Sequence, residues 1–290
     1  VILNPLSGVV TAMATVFDED GSLDLISTAS LAEHLLANGS DGLVVGGTTG
    51  ESPTLDDEEK LALLECVLSV AGGEAPIVLG TGSNDTRHSV ELTARAAEAG
   101  ATGALVVTPY YNKPNRAGIT AHFEAVAAAA PELPIILYNI PARVIVNVSP
   151  DHLAELAAIP NVVAVKQAND DEIGPIEGLD LLAGNDSGLL PVMESGGVGG
   201  ILVASHFVGN QMRDLIDLCL DGETERAATL DADLRPVYDA MSVTVNPIPV
   251  KAALEMAGIC RATMRLPMVE ATSDEKAEIA ELLEKGGVNF

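Results

Sequence analysis

The segment PIILYNIP, residues 134–141, sets the reading of the fold: Ile135, Ile136, Leu137 and Tyr138 follow one another without alternation, and proline closes each end. A strand with one wet face alternates polar with apolar. An unbroken apolar run is covered on both faces, as in a parallel strand between layers of helices. Working outward, the same kind of run recurs as GVVTAMAT (8–15), GLVVGG (42–47), PIVLGTG (76–82), GALVVTP (103–109), VVAVKQA (162–168), LLAGND (181–186) and GILVAS (200–205), making eight in all. Helix-like stretches lie between them, such as 57–72 and 85–99. In the second, Val90, Ala94 and Ala97 are expected on the inward face, with Asn84 or Asp85 as the cap. Eight strand-then-helix units without a Pro- or Gly-rich linker predict an α/β fold, a (β/α)₈ TIM barrel over residues 1–222. Residues 206–290 show helical periods near 208–220, 224–241, 248–257 and 274–285. The first completes the barrel, and residues 223–290 are expected to form a C-terminal helical extension. A doubly wound sheet is the competitor, but no GxGxxG follows the first run and no GxxxxGK[ST] occurs.

Composition narrows the function. The 290 residues are 48% hydrophobic and carry 15 Lys+Arg against 42 Asp+Glu, a formal charge of −27. That field repels phosphate backbones and anionic lipid, so neither a nucleic-acid partner nor a membrane partner is expected. No apolar run approaches the ~20 residues that span a bilayer, and VILNPLSGVV has no basic leader, so a cytoplasmic protein is expected. Cys66, Cys219 and Cys260 stand far apart, without disulfide or zinc spacing, and read as buried structural thiols. The five histidines show no HxH or HExxH spacing, and no metal is expected. The glycines of GGVGGI (196–201) suit either phosphate binding or close strand–helix packing.

In a barrel of this kind reactive side chains sit where strands end. Those positions hold Thr48, Thr49, Thr81, Tyr110, Tyr111, Tyr138, Lys166, Asn185, Asp186 and Ser205. Lys166 ends an apolar run, where a charged amine is costly unless paired or put to use. A neutral amine attacks a carbonyl to form a Schiff base; a lysine snorkelling from the strand end is the competing reading. Lys251, at the start of a helix in NPIPVKAAL, reads as exposed, and Lys113 in YNKPN as solvated. Schiff-base chemistry also needs proton transfers, for which Tyr138, Tyr111 and a threonine of GGTTGE supply hydroxyls, although aromatic packing at the rim also accounts for the tyrosines. Arg143 offers donors suited to a carboxylate, against the alternative of a surface salt bridge.

GGTTGESPT (46–54), VVTPYYNKP (106–114), YNIPAR (138–143), the strand-end lysine of VVAVKQA and NPIPVKAAL (246–254), in this order along nearly the whole chain, resemble the dihydrodipicolinate synthase family of pyruvate-dependent lyases. The resemblance implies that Lys166 forms the Schiff base with pyruvate and that Tyr138 is the proton donor and acceptor. It implies that Thr48 and Tyr111 complete a proton relay, with Tyr111 reaching into a neighbouring subunit. Thr49, Gly184 and the backbone at Ile201 would hold pyruvate, and Arg143 the carboxylate of a second substrate, the small aldehyde L-aspartate 4-semialdehyde. The implied product is 4-hydroxy-tetrahydrodipicolinate, on the lysine and diaminopimelate route. No cofactor beyond the covalent pyruvate Schiff base is implied, and the assembly would be a homotetramer built from tight dimers.

Two departures stand on the second-substrate side: Val144-Ile145 follow Arg143 where the family has Thr-Gly, and Gln167 follows the lysine where it often has Glu. A 2-keto-3-deoxy sugar-acid aldolase or N-acetylneuraminate lyase would use the same Schiff base, and a catalytically silent binding relative is the alternative of another class. Ser52, Asn84 and Tyr110 match the family's lysine feedback site, but Asp57, Lys60 and His88 replace its other side chains, so weak or absent lysine inhibition is expected.

Overall fold

Eight parallel strands close into a barrel in chain order: β1 (Gly8–Ala12), β2 (Gly42–Val45), β3 (Ile77–Gly80), β4 (Gly103–Val107), β5 (Ile135–Asn139), β6 (Val162–Gln167), β7 (Asp180–Ala183) and β8 (Gly199–Leu202). The computed structural model describes residues 4–289, so the reading of a missing leader at Val1–Leu3 lies outside it. Each predicted run overlaps one strand, with β7 and β8 beginning one residue ahead of theirs. The helices α1 (Leu25–Ala37), α2 (Asp57–Ala71), α3 (Thr86–Glu98) and α4 (Arg116–Ala129) each follow one strand. The short α5 (Pro141–Val144) and α6 (Pro150–Leu156) both follow β5, and β6 runs on to β7 through a single 3₁₀ turn at Asp170–Glu172 where a helix was expected. The helices α7 (Leu189–Glu194) and α8 (Ser205–Leu220) follow β7 and β8. They are followed by α9 (Thr224–Ala240), α10 (Ile248–Met256) and α11 (Ser273–Lys285).

The runs look unpatterned because both directions lead to apolar surroundings. On β2, Leu43 and Val45 pack outward under the helices, while Val44 packs into the barrel with Val10, Val78, Leu105 and Ile136. Closure needs two glycines. Gly8 pairs with Gly199 where β1 meets β8, and a Cβ on Gly199 (φ 143°) would stand 2.0 Å from the Gly8 carbonyl oxygen. At Gly197 a Cβ would come within 2.4 Å of Val192. Of the two readings of GGVGGI, close packing is the one these contacts carry.

One irregularity aims the site. Ile135 pairs with Val162 but Ile136 pairs with Ala164, so the β5–β6 ladder skips Val163. Val163 and Ala164 both turn to the barrel interior as a result, while Val165 faces the helices. A bulge inverts the alternation beyond it, and here it turns Lys166 inward, in register with Tyr138.

Three expectations are corrected. The inward face of α3 is Ser89, Leu92, Thr93 and Ala96, with Val90, Ala94 and Ala97 only half-buried. Its hydroxyls are satisfied, since Thr93 donates to Thr81 at 2.8 Å and Ser89 accepts from the Ser83 N–H at 2.9 Å. Asp85 is the cap. Lys251 is buried, with 1% exposure, because its counter-ion Glu51 comes from the other end of the chain. The three cysteines are half-buried free thiols rather than buried ones. Among the described residues no helix is long and apolar enough to cross a membrane, and no group of three His, Cys, Asp or Glu could hold a metal ion.

Candidate active site

Lys166 and Tyr138 lie at the C-terminal ends of β6 and β5, each 5% exposed. The Lys166 Nζ stands 4.4 Å from the centre of the Tyr138 ring. A cavity of about 380 Å³ opens beside them, walled by Thr49, Arg143, Gly184, Asp186 and Tyr238 among others. Gly184 is there because nothing larger fits: a Cβ would meet Ala168 and the Gln167 carbonyl oxygen at 2.7 Å.

Thr48 and Thr49 ride a tight turn after β2. The Glu51 N–H donates to the Thr48 carbonyl at 3.1 Å, the Ser52 N–H to that of Gly47 at 3.1 Å, and the Thr15 hydroxyl to that of Gly50 at 2.7 Å. Thr48 lines the cavity, while the Thr49 hydroxyl accepts from the Asn246 amide at 3.0 Å. Arg143, on α5 at the mouth, donates to the Asn246 carbonyl at 2.9 Å. It makes no ion pair among the described residues, which leaves most of its donors for a ligand.

Two further candidates stand apart from the cavity walls. Tyr111 is 85% exposed on a loop where its own φ is 71°, a left-handed conformation that bulky residues seldom adopt. It lines neither cavity of its own chain. Ile201 is fully buried in β8 inside the barrel, and Val203, two residues on, is the one that reaches the cavity wall. Direct hydrogen bonds among Thr48, Tyr111 and Tyr138 are not made within the described chain.

Three more site residues take their places through remote partners. Asp186 accepts from the N–H groups of Val203 and Ala204 at 2.8 and 3.1 Å and so ties β7 to the loop after β8. Burial pushes its carboxyl above the ordinary value, against those hydrogen bonds and the charge of Lys166. Arg235 and Tyr238 reach the cavity from α9. The Arg235 guanidinium bonds Asp231 at 2.5 Å and stands 5.7 Å from the Tyr238 ring centre. Burial, then the charges of Asp186 and Asp231, drives the Tyr238 phenol's pKa up. Arg235 and Tyr238 carry no local signal in the sequence, whereas Asp186 is one of the strand-end candidates.

A second cavity, of about 370 Å³, shares Thr48, Tyr138, Ile140 and Arg143 with the first. It brings together Ser52, Lys60, Asn84, His88 and Tyr110. Lys60 is 4% exposed and its amine makes no hydrogen bond among the described residues. Burial lowers its pKa, opposed by the charge of Asp57. Asp57 is itself taken up by His88, 2.7 Å away.

Known proteins resemble this chain along nearly its whole length. The model of the dihydrodipicolinate synthetase family matches residues 5–286. The 4-hydroxy-tetrahydrodipicolinate synthase of Parasynechococcus marenigrum is 46% identical over 286 residues, covering 96% of this chain and 95% of its own. That of Symbiobacterium thermophilum is also 46% identical, covering 96% and 97%. Among solved structures, that of DHDPS from Cyanidioschyzon merolae with lysine bound superposes with a TM-score of 0.94 at 38% identity, covering 98% of this chain and 99% of that one.

Proposed function

The chain belongs to the dihydrodipicolinate synthetase family, and on that premise we propose that it is a Schiff-base lyase that joins pyruvate to L-aspartate 4-semialdehyde, giving 4-hydroxy-tetrahydrodipicolinate for lysine and diaminopimelate synthesis. One observation carries the chemistry: a buried lysine amine 4.4 Å from a buried phenol ring, at the ends of neighbouring strands and open to a cavity.

The Lys166 amine adds to the C2 carbonyl of pyruvate, and loss of water leaves an iminium. Removal of a methyl proton gives the enamine, whose carbon attacks the aldehyde. The aldehyde substrate's own amine then adds to C2 of the re-formed iminium, which closes the ring and expels the Lys166 amine. Tyr138 supplies and recovers the protons, with Thr48 beside it at the wall shared by both cavities. Thr49, Gly184 and the strand end at Ile201 hold the pyruvate carboxylate side. Arg143 takes the carboxylate of the aldehyde substrate, an anion that an acidic protein must bind through a local cation. The electron sink is the protein's own iminium, so the reaction as proposed calls for no cofactor.

Tyr111 acts across a subunit boundary. Its exposure and left-handed backbone suit a side chain held by a second copy rather than by its own. A homotetramer of tight dimers, working in the cytoplasm, is the assembly in which that reach is used. A product-resolved assay of pyruvate with aspartate semialdehyde and with keto-deoxy sugar acids tests the reading. Turnover restricted to the sugar acids would overturn it.

A further inference from the structure

The turn that carries Thr48 and Thr49 is closed by Glu51, whose backbone sits in the left-handed region at φ 55°. A non-glycine residue stays there only where its surroundings hold it. Here they come from the far end of the chain. The Glu51 side chain is 1% exposed. Its Oε1 accepts from the Lys251 Nζ at 2.6 Å, and its Oε2 from the Arg265 N–H at 3.1 Å. Lys251, in the first half of α10, also donates to the Thr263 carbonyl at 2.5 Å and stands 4.6 Å from the centre of the Phe17 ring.

The same strip is fastened twice more. The Arg265 guanidinium donates to both carboxyl oxygens of Glu59, at 2.6 and 2.7 Å, and to the Thr54 carbonyl at 2.7 Å. Asn246, just before α10, donates to Thr49 and accepts from Arg143. Both sides of the candidate site are thereby referenced to one C-terminal segment.

A buried ion pair is an inefficient way to gain stability, because an apolar pair of similar volume does as well. What the pair adds is direction: both ions have fixed partners, and Glu51 can satisfy its own only with the turn in this conformation. We propose that Glu51 and Lys251 are positioning residues for the reaction, acting through the Thr48–Thr49 turn without touching substrate. This rests on the roles given above to Thr48 and Thr49.

The test compares Glu51→Gln, Lys251→Met and the double variant Glu51→Leu/Lys251→Met with the wild-type chain. Melting temperature, kcat, the KM for pyruvate and borohydride trapping of pyruvate on Lys166 are read for each. Each single variant leaves a partner stranded and is expected to melt earlier. The double variant removes both charges, and its melting temperature is expected to return to within a few degrees of wild type. It should still trap pyruvate, with kcat about 10- to 100-fold down, the scale of a small misplacement of reacting groups. Recovery of kcat together with the melting temperature would reduce the pair to a structural role and overturn the inference. Lys251→Arg keeps the charge and moves the donor, so it serves should the double variant not fold: unchanged kcat at unchanged melting temperature overturns the inference there too. Failure of the wild-type chain to trap pyruvate would overturn the Schiff-base reading and this inference with it. Normal trapping with a fully active double variant overturns this inference alone.

Discussion

Tyr138 and Lys166 pair directly across β5 and β6 because the ladder between them skips Val163. Without that bulge Tyr138 would face Val165, and the amine would point into the helix layer. The juxtaposition of phenol and amine is thus a matter of register as much as of residue identity.

Lys166→Ala should abolish borohydride trapping of pyruvate while the circular dichroism spectrum is kept. The side chain lost is buried but makes no hydrogen bond among the described residues, so the barrel does not depend on it. A mass adduct persisting in this variant would place the reactive amine elsewhere.

Tyr138→Phe keeps the ring against Lys166 and removes only the hydroxyl. Trapping should continue slowly, and turnover should fall by ~10²–10⁴-fold, the usual worth of a general acid–base group. Wild-type turnover would remove this phenol from the proton transfers.

If Tyr111 serves a neighbour's site, two inactive proteins should rescue each other. Tyr111→Phe and Lys166→Ala homo-oligomers, mixed under conditions that let subunits exchange, should regain activity, since hybrid pairs contain one site with both groups. No gain after exchange, verified by mass spectrometry, would confine Tyr111 to its own chain.

Free lysine is expected to inhibit weakly or not at all. The cavity behind the site presents the buried amine of Lys60, and an incoming ammonium meets like charge there while Asp57 is engaged by His88. Half-maximal inhibition at sub-millimolar lysine would contradict this.

His206 makes stability depend on pH. Its Nε2 accepts from the Ala14 N–H at 3.3 Å while Nδ1 lies 2.8 Å from the Val203 carbonyl oxygen, an arrangement that needs the neutral ring. Burial lowers its pKa from 6.5 to about 4. The unfolded chain therefore binds this proton first as pH drops. The contribution is complete above 6.5 and is lost on acidification toward 4, at ~1.4 kcal/mol per pH unit. His206→Gln should flatten the fall in unfolding free energy between pH 6.5 and 5 relative to wild type; parallel curves would assign the acid sensitivity to other groups. His122, lowered to about 4 by burial as well, adds a second loss of the same sign.

The eight strands were legible because strands covered on both faces read as unbroken apolar runs, and Lys166 and Tyr138 because they end two of those runs. What stayed hidden depends on distant partners. Lys251 read as exposed because nothing near it in sequence announces Glu51. Val90, Ala94 and Ala97 read as the inward face of α3 because the hydrogen-bonding partners that let Ser89 and Thr93 be buried, Ser83 and Thr81, lie on the preceding strand end and loop. Arg235 and Tyr238 enter the site from α9 and no local pattern marks them, while Asp186 at a strand end and Asn246 in NPIPVKAAL were visible but their remote partners were not. The Val163 bulge has no signature in VVAVKQA itself.

The seam between Gly8 and Gly199 also governs how the molecule comes into being. During synthesis the opening strand leaves the ribosome long before its second neighbour exists, so the growing polypeptide is a sheet with two raw borders. Every added unit lengthens the wait, and the final pairing joins the most widely separated strands, the slowest kind of contact to form. A pause in translation short of Leu202 would leave that border open to another copy, which makes the nascent chain, rather than the finished ring, the stage at which this protein is most exposed to aggregation.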